Sequence, residues 1–195
     1  LYTHHVYSLE ASLRHAFFQV VSILTSAGFA SVDFAQWTVP AQAILVFLMF
    51  VGGSAGSAAG GIKLVRWLLL FGFLRREITR TLHPRAVLPL RLGDRVVSEE
   101  ALRQVSVFIF LYTLLFGFGT LTLALLEGKF VEAFTASAQA IGNIGPGLGE
   151  VGPMGSYAGL HPLSKVVLIF QMWAGRIEIL PVVLLFSPEL WRRLR

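Results

Sequence analysis

The chain has 195 residues, of which 55% are hydrophobic and 14% charged, with a mean hydropathy of +0.70. That composition is too apolar for an ordinary soluble domain and places the chain in a membrane. The formal net charge of +5 would suit nucleic acid in a soluble protein, but the basic residues lack the aromatic interleaving of a nucleic-acid module, so no nucleic acid is expected. Zero cysteines exclude disulfides, Cys-ligated zinc and thiol catalysis.

The chain starts Leu1-Tyr2-Thr3-His4-His5, without an initiator Met or a signal-type apolar run. It reads as an internal starting point, so the residues are expected to be the carboxy-terminal part of a longer membrane protein. A spanning helix needs about 20 apolar residues. Residues 16–24 are too short to cross and are followed by Thr25-Ser26-Ala27-Gly28-Phe29. Residues 40–74 are long enough for one span and more, yet they are broken by ten consecutive small residues, Gly52-Gly53-Ser54-Ala55-Gly56-Ser57-Ala58-Ala59-Gly60-Gly61. A basic segment follows, with Arg75, Arg76, Arg80, Arg85, Arg91, Arg95 and Arg103. Residues 105–126 read as an uninterrupted span. Residues 130–141 are again too short and lead into Gly142-Asn143-Ile144-Gly145-Pro146, and 162–186 read as a second continuous span with Arg176 and Glu178 near its middle.

The short helix, glycine turn and long helix therefore occur twice. When Ala16-Phe17 is laid on Ala133-Phe134, Gly28 falls on Gly145 without a gap. Because the parallel spacing favours re-entrant segments, the predicted fold is an all-α membrane protein of helix–pore loop–helix repeats, as in potassium channels, with a broken helix carrying a Gly-rich intramembrane loop. Residues 1–74 hold a pore helix, filter turn and broken second helix; 75–103 are a cytoplasmic basic linker; 104–195 are a complete repeat with a cytoplasmic C-terminus. The central arginines and Arg192, Arg193 and Arg195 set that orientation by the positive-inside rule, and the two turns then face outward. Trp37, Trp67, Trp173 and Trp191 are equally suited to interfacial anchoring and helix packing.

Glycine at 28 and 145 permits backbone angles that aim carbonyls at a common axis, where carbonyl oxygens replace the water around a cation. The competing reading is an ordinary helix cap, and two matched copies favour the filter. The small-residue run fails as a phosphate loop, because Gly61-Ile62-Lys63-Leu64 lacks the lysine directly after glycine and the hydroxyl that follows it. Gly52-Gly53-Ser54-Ala55-Gly56 satisfies the pattern of a nucleophile elbow, but His4, His5, His15, His83 and His161 lie outside the spanning runs. A small-residue loop below the filter, obstructing or admitting ions, competes with close helix packing through small residues. Arg176 inside a span needs protein or water and a partner. Glu178, two positions on, points to another face of a helix, so loop carbonyls in 52–61 are the expected partners. A fixed charge there is either an electrostatic barrier or a structural tie. Lys63 is less determinate than Arg176, with a stem long enough to snorkel toward the cytoplasmic surface, and the histidines, without metal-ligand spacing, receive no role.

Thr25-Ser26-Ala27-Gly28-Phe29, the run from Gly52 through Lys63, Gly142-Asn143-Ile144-Gly145-Pro146-Gly147 and Gly175-Arg176-Ile177-Glu178 together resemble the Trk/Ktr/HKT potassium transporter superfamily, in its bacterial TrkH-like branch. The resemblance covers essentially the whole chain, from just before the third pore helix of a four-repeat pore through the fourth repeat. It implies that Gly28 and Gly145 are filter glycines, and that Thr25, Ser26, Ala27, Gly28, Asn143, Ile144 and Gly145 form the ion-binding filter. Potassium would sit at the carbonyls of Thr25, Ser26, Asn143 and Ile144. It also implies an intramembrane gate formed by Gly52, Gly53, Gly56, Gly60 and Gly61, restrained by Arg176. Glycine at both filter positions fits the potassium-preferring pattern, while Ala58-Ala59 stand where the family often has Thr-Gly and imply a slightly stiffer gate.

The resemblance further implies a homodimer in the bacterial inner membrane, multi-pass and lipid-embedded, working with a cytosolic TrkA-like nucleotide-binding subunit. The basic linker suits such docking and suits membrane orientation equally. The expected function is potassium uptake as the pore-forming subunit, with potassium as substrate, no cofactor and no enzymatic step. The alternatives are an intramembrane serine protease using Ser54 and a non-conducting membrane scaffold.

Overall fold

The computed structural model describes residues 7–83, 88–186 and 191–192. His4, His5, Arg85, Arg193 and Arg195 lie outside the described residues. Helix α1 (Leu9–Leu24) begins well before residue 16, because Ser8 caps it: its Oγ accepts from the Ala11 amide at 3.3 Å. Helix α2 (Val39–Leu48) opens with Pro40 in its first turn and ends at Met49, short of the small-residue run. There the chain forms a minimal parallel bridge between β1 (Val51–Gly52) and β2 (Ile62–Lys63), with Val51 opposite Ile62 and Gly52 opposite Lys63. The Ile62 amide donates to the Phe50 carbonyl at 3.3 Å and the Leu64 amide to the Gly53 carbonyl at 3.1 Å. The bridge is the neck of a closed loop, so the broken helix expected from the sequence is two helices joined through a pinched loop.

Helix α3 (Leu64–Leu82) runs past residue 74, so the first part of the expected linker, with Arg75, Arg76 and Arg80, is helical. Arginine favours helix, and Arg76 bridges to Glu99 at 2.5 Å and to Glu77 at 3.2 Å, tying this end of α3 to the start of α4. The rest of the linker holds a small hairpin that the sequence reading missed, β3 (Arg91–Leu92) with β4 (Arg95–Val96), turning through Gly93 at φ +61° and Asp94. Helix α4 (Glu99–Glu127) is the long apolar helix expected over 105–126. Ser98 caps its start, and Gly128, left-handed at φ +72°, ends it.

Helix α5 (Phe130–Gly142) is the second short helix. The expected single span over 162–186 is two helices, α6 (Pro162–Arg176) and α7 (Ile179–Leu185), bent by 109°. The cause is Glu178, whose φ of +59° cannot continue a right-handed helix. Arg176 is thereby moved from mid-helix to the C-terminal end of α6, where a cation meets the negative end of the helix dipole.

Helix α5 lies between α4 and α6, and Ala133 and residues 135–142 are all buried. Its small side chains let the neighbouring backbones approach. Buried Gln171 of α6 donates through Nε2 to the Leu115 carbonyl of α4 and to Ser137 Oγ of α5, both at 2.9 Å. Ser137 Oγ donates in turn to the Phe116 carbonyl at 2.9 Å. A β-carbon at Gly119 would overlap the Gln171 amide, so glycine leaves room for this joint.

Ile23, Phe34, Trp37, Leu45 and Met49 from the first half pack with Ala138, Ile144 and Leu148 from the second. Trp37 is therefore a packing residue. Trp67 stacks on Phe71 and donates to the Phe50 carbonyl at 3.4 Å, while Trp173 and Trp191 are exposed.

Candidate functional site

The two glycine turns have the same backbone. In each, the residue two before the glycine is left-handed, Ser26 at φ +55° and Asn143 at φ +54°, and the glycine is left-handed as well, Gly28 at +75° and Gly145 at +119°. Two of the backbone hydrogen bonds match position for position. Ser26 N donates to the Ile23 carbonyl at 3.0 Å, as Asn143 N does to that of Ala140 at 3.1 Å. Ala27 N donates to Ser22 at 2.9 Å, as Ile144 N does to Gln139 at 3.0 Å. These bonds draw the chain off the last turns of α1 and α5, leaving each helix's negative end directed at its own turn. The resemblance places Ser26 and Asn143 in the filter, but their left-handed backbone is not legible in the sequence, because a left-handed serine carries no signal beyond its neighbours.

Side chains of the short helices hold each turn from behind. Gln139 Oε1 accepts from Gly145 N at 3.1 Å, and Thr135 Oγ1 accepts from Leu148 N at 3.0 Å. In the first turn Ser22 Oγ donates to the Phe29 carbonyl at 2.6 Å and Gln19 Oε1 accepts from Ser31 N at 3.0 Å. Tyr157, which sequence reading passed over, donates its hydroxyl to the Gly145 carbonyl at 2.8 Å. Burial pushes this phenol upward, so it stays a protonated donor.

The turns touch. A β-carbon on Gly28 would overlap the Ile144 carbonyl oxygen, so that carbonyl is seated against the Gly28 backbone, and Gly28 Cα is the nearest atom to a β-carbon at Gly145, at 4.0 Å. Thr25 closes the first turn, its hydroxyl donating back to the Val21 carbonyl at 2.8 Å. Gly28 thus stands beside Ile144 and Gly145, and Ser26 reaches the Gly142 carbonyl with its hydroxyl.

The loop through Gly52, Gly53, Gly56, Gly60 and Gly61 lies against the same place. A β-carbon on Gly60 would overlap the carbonyl of Gly142, the last residue of α5. Three successive loop carbonyls are held by two cations: Lys63 Nζ donates to Ser57 and Ala59, both at 2.6 Å, and Arg176 Nη1 donates to Ala58 at 2.6 Å. The loop partner expected for Arg176 is therefore present, and Lys63 faces the loop rather than snorkelling away. Gly175 lets α6 close on the end of α5, since a β-carbon there would overlap the Ile141 carbonyl.

Glu178 pairs instead with Arg66 at 2.5 Å, and the Arg66 guanidinium lies 3.8 Å from the centre of the Phe108 ring. A cavity of about 250 Å³ separates these groups from the loop, lined among others by Ala58, Gly61, Lys63, Tyr112 and Arg176. Near the start of α5, Lys129 bridges to Glu150 and, at 3.6 Å, to Glu132. The Glu150 hydrogen bond, followed by the nearby carboxylate charge, raises the lysine ammonium from its usual range. No hydrogen bond joins a histidine to Ser54 among the described residues, which removes the geometric support for a protease.

Fold and site together define a helical membrane protein built on two matched helix–turn units. The family described as "Cation transport protein" (TrkH) matches residues 2–193, and the chain belongs to that family. It is 38% identical over 193 residues to the Trk system potassium uptake protein TrkH of Salmonella typhimurium, covering 98% of this chain and 40% of that protein. It is also 38% identical over 187 residues to the Trk system potassium uptake protein TrkG of Escherichia coli, covering 96% and 38%. The crystal structure of the potassium transporter TrkH from Vibrio parahaemolyticus superposes with a TM-score of 0.87 at 37% identity, over 97% of this chain and 40% of that one. The chain thus spans about two fifths of the length of these relatives.

Proposed function

We propose that the chain forms part of a potassium uptake pore, with the two turns as half of a carbonyl filter and the loop of residues 52–61 as the gate beneath it. The observation that carries this reading is the abutment of the two turns, with the Ile144 carbonyl seated against Gly28. Two segments with the same left-handed pattern meet there, at the negative ends of two short helices, which supports a site where backbone carbonyls replace the water around a cation. The carbonyls of Thr25, Ser26, Asn143 and Ile144 are the proposed potassium ligands. The Gly145 carbonyl, already bonded to Tyr157, fixes the turn instead.

Two turns do not encircle an ion, so the filter is completed by further repeats of the same kind, in keeping with relatives more than twice this length. Residues 1–74 then supply the third pore loop and the gate, 75–103 a cytoplasmic basic segment, and 104–195 the fourth repeat. Lys63 and Arg176 hold the gate closed by binding its carbonyls, and conduction requires those bonds to part. The assembled protein is a multi-pass homodimer in the inner membrane, surrounded by lipid and regulated by a cytosolic TrkA-like nucleotide-binding subunit docking near the basic segment. The relatives named as potassium uptake proteins support potassium as the cargo.

Potassium-limited growth of an uptake-deficient bacterium expressing the full reading frame tests the proposal. Rescue at low potassium is expected, and failure to rescue with the protein present in the membrane and its regulator supplied would overturn it.

A further inference from the structure

One hydroxyl joins the proposed filter to the proposed gate. Ser26 Oγ donates to the Gly142 carbonyl at 3.2 Å and accepts from the Gly60 amide at 3.0 Å. Gly142 is the last residue of α5, so its carbonyl has no helical partner of its own. Gly60 lies in the small-residue loop, pressed against that same carbonyl closely enough that a β-carbon there would overlap it. Ser26 itself is held left-handed at φ +55° within the first turn. The hydroxyl therefore touches the first turn, the end of the second short helix and the loop at once. Lys63 and Arg176 bind the loop through the Ser57, Ala58 and Ala59 carbonyls, whereas its link to the turns is the Gly60 amide.

We propose that the Ser26 hydroxyl is the positioning group that couples filter to gate, so that the loop cannot leave its closed place without releasing a bond to the filter turn. This rests on the reading of turns and loop as filter and gate. When the loop moves, the Gly60 amide loses its acceptor and the Gly142 carbonyl keeps a donor free to reorient. By linkage the converse holds, and an ion that rigidifies the turns must also hold the loop.

The test compares the wild-type protein, in its full reading frame and reconstituted in lipid nanodiscs, with Ser26→Ala and Ser26→Gly. Both variants keep the backbone carbonyl and remove the hydroxyl, but glycine also relieves the left-handed strain. Amide exchange of residues 58–61 is followed in potassium chloride and in choline chloride, alongside rubidium flux into proteoliposomes. Exchange in both variants should be several-fold faster than in wild type, up to about tenfold for one lost hydrogen bond. The slowing produced by potassium in wild type should shrink in both, and flux should rise. Unchanged exchange in both variants overturns the proposal. So does acceleration in Ser26→Ala alone, which would assign the effect to backbone strain, and so does faster exchange with unaltered flux and unaltered potassium response. If wild type carries no rubidium and ignores potassium, the pore reading fails, and the exchange difference between wild type and the two variants still decides whether the hydroxyl holds the loop.

Discussion

The first and second turns share one backbone pattern but depend on their glycines for different reasons. At Gly28 the limit is space, since the Ile144 carbonyl occupies the position a side chain would take. At Gly145 the limit is conformation: φ is +119°, a region nearly closed to other residues, while the space beside it is open to 4.0 Å. Their supports differ too. The second short helix is buried along most of its length between α4 and α6, whereas α1 leaves Phe17 73% exposed and Leu13 64% exposed. Two residues that align perfectly in the sequence thus do unequal work, and a repeat carries its pattern further than its packing.

Substitution at the two glycines should break the equivalence most strongly. Gly28→Ala drives a β-carbon into a backbone carbonyl that cannot rotate away, so the turns must separate. Loss of folded protein and of uptake is expected, read from yield after size-exclusion chromatography and from growth at low potassium. Gly145→Ala adds about 1–3 kcal/mol of backbone strain without a collision, so that variant should fold and insert, with altered ion preference as its main defect.

The gate comparison comes next in size. Lys63 holds two carbonyls and Arg176 one, so Lys63→Ala should raise rubidium flux at least as much as Arg176→Ala. The double variant should exceed both, and flux no higher than wild type in correctly folded single variants would deny either residue a closing role. Smaller again is Glu178→Gln. It weakens the pair with the mostly buried Arg66 guanidinium and loosens the bend that presents Arg176, so a modest rise in flux and a lower thermal midpoint are expected. The smallest effect belongs to Tyr157→Phe, which removes one hydrogen bond to the Gly145 carbonyl, worth about 1 kcal/mol. It should soften selectivity slightly without altering yield, a difference visible in sodium competition against rubidium uptake.

Both short helices, both glycines, the small-residue run and the loop as partner of Arg176 are legible in the sequence, because each depends on local composition or on a repeated spacing. Other features are not. The break at Glu178 depends on one left-handed residue that pairs with Arg66 across the fold, and the mark it leaves within 162–186 is Pro181 three residues on, a helix breaker that a ruler of apolar length passes over. The start of α1 at Leu9 is set by the Ser8 cap, which an apolar ruler overlooks. Lys63 is assigned by the fold of a loop whose small side chains give no periodicity, and so its target cannot be read from spacing. The bridges made by Ser26 and Tyr157 are tertiary contacts of ordinary polar residues, invisible until the turns are brought together.

The measurement that bears most directly on the central claim is the potassium-to-sodium permeability ratio of Gly145→Ser against wild type in proteoliposomes, with equal amounts of folded protein. If the two turns line one cation filter, the ratio falls and sodium enters. An unchanged ratio in a variant that still conducts would mean that the second turn does not face the ion, and would contradict the account.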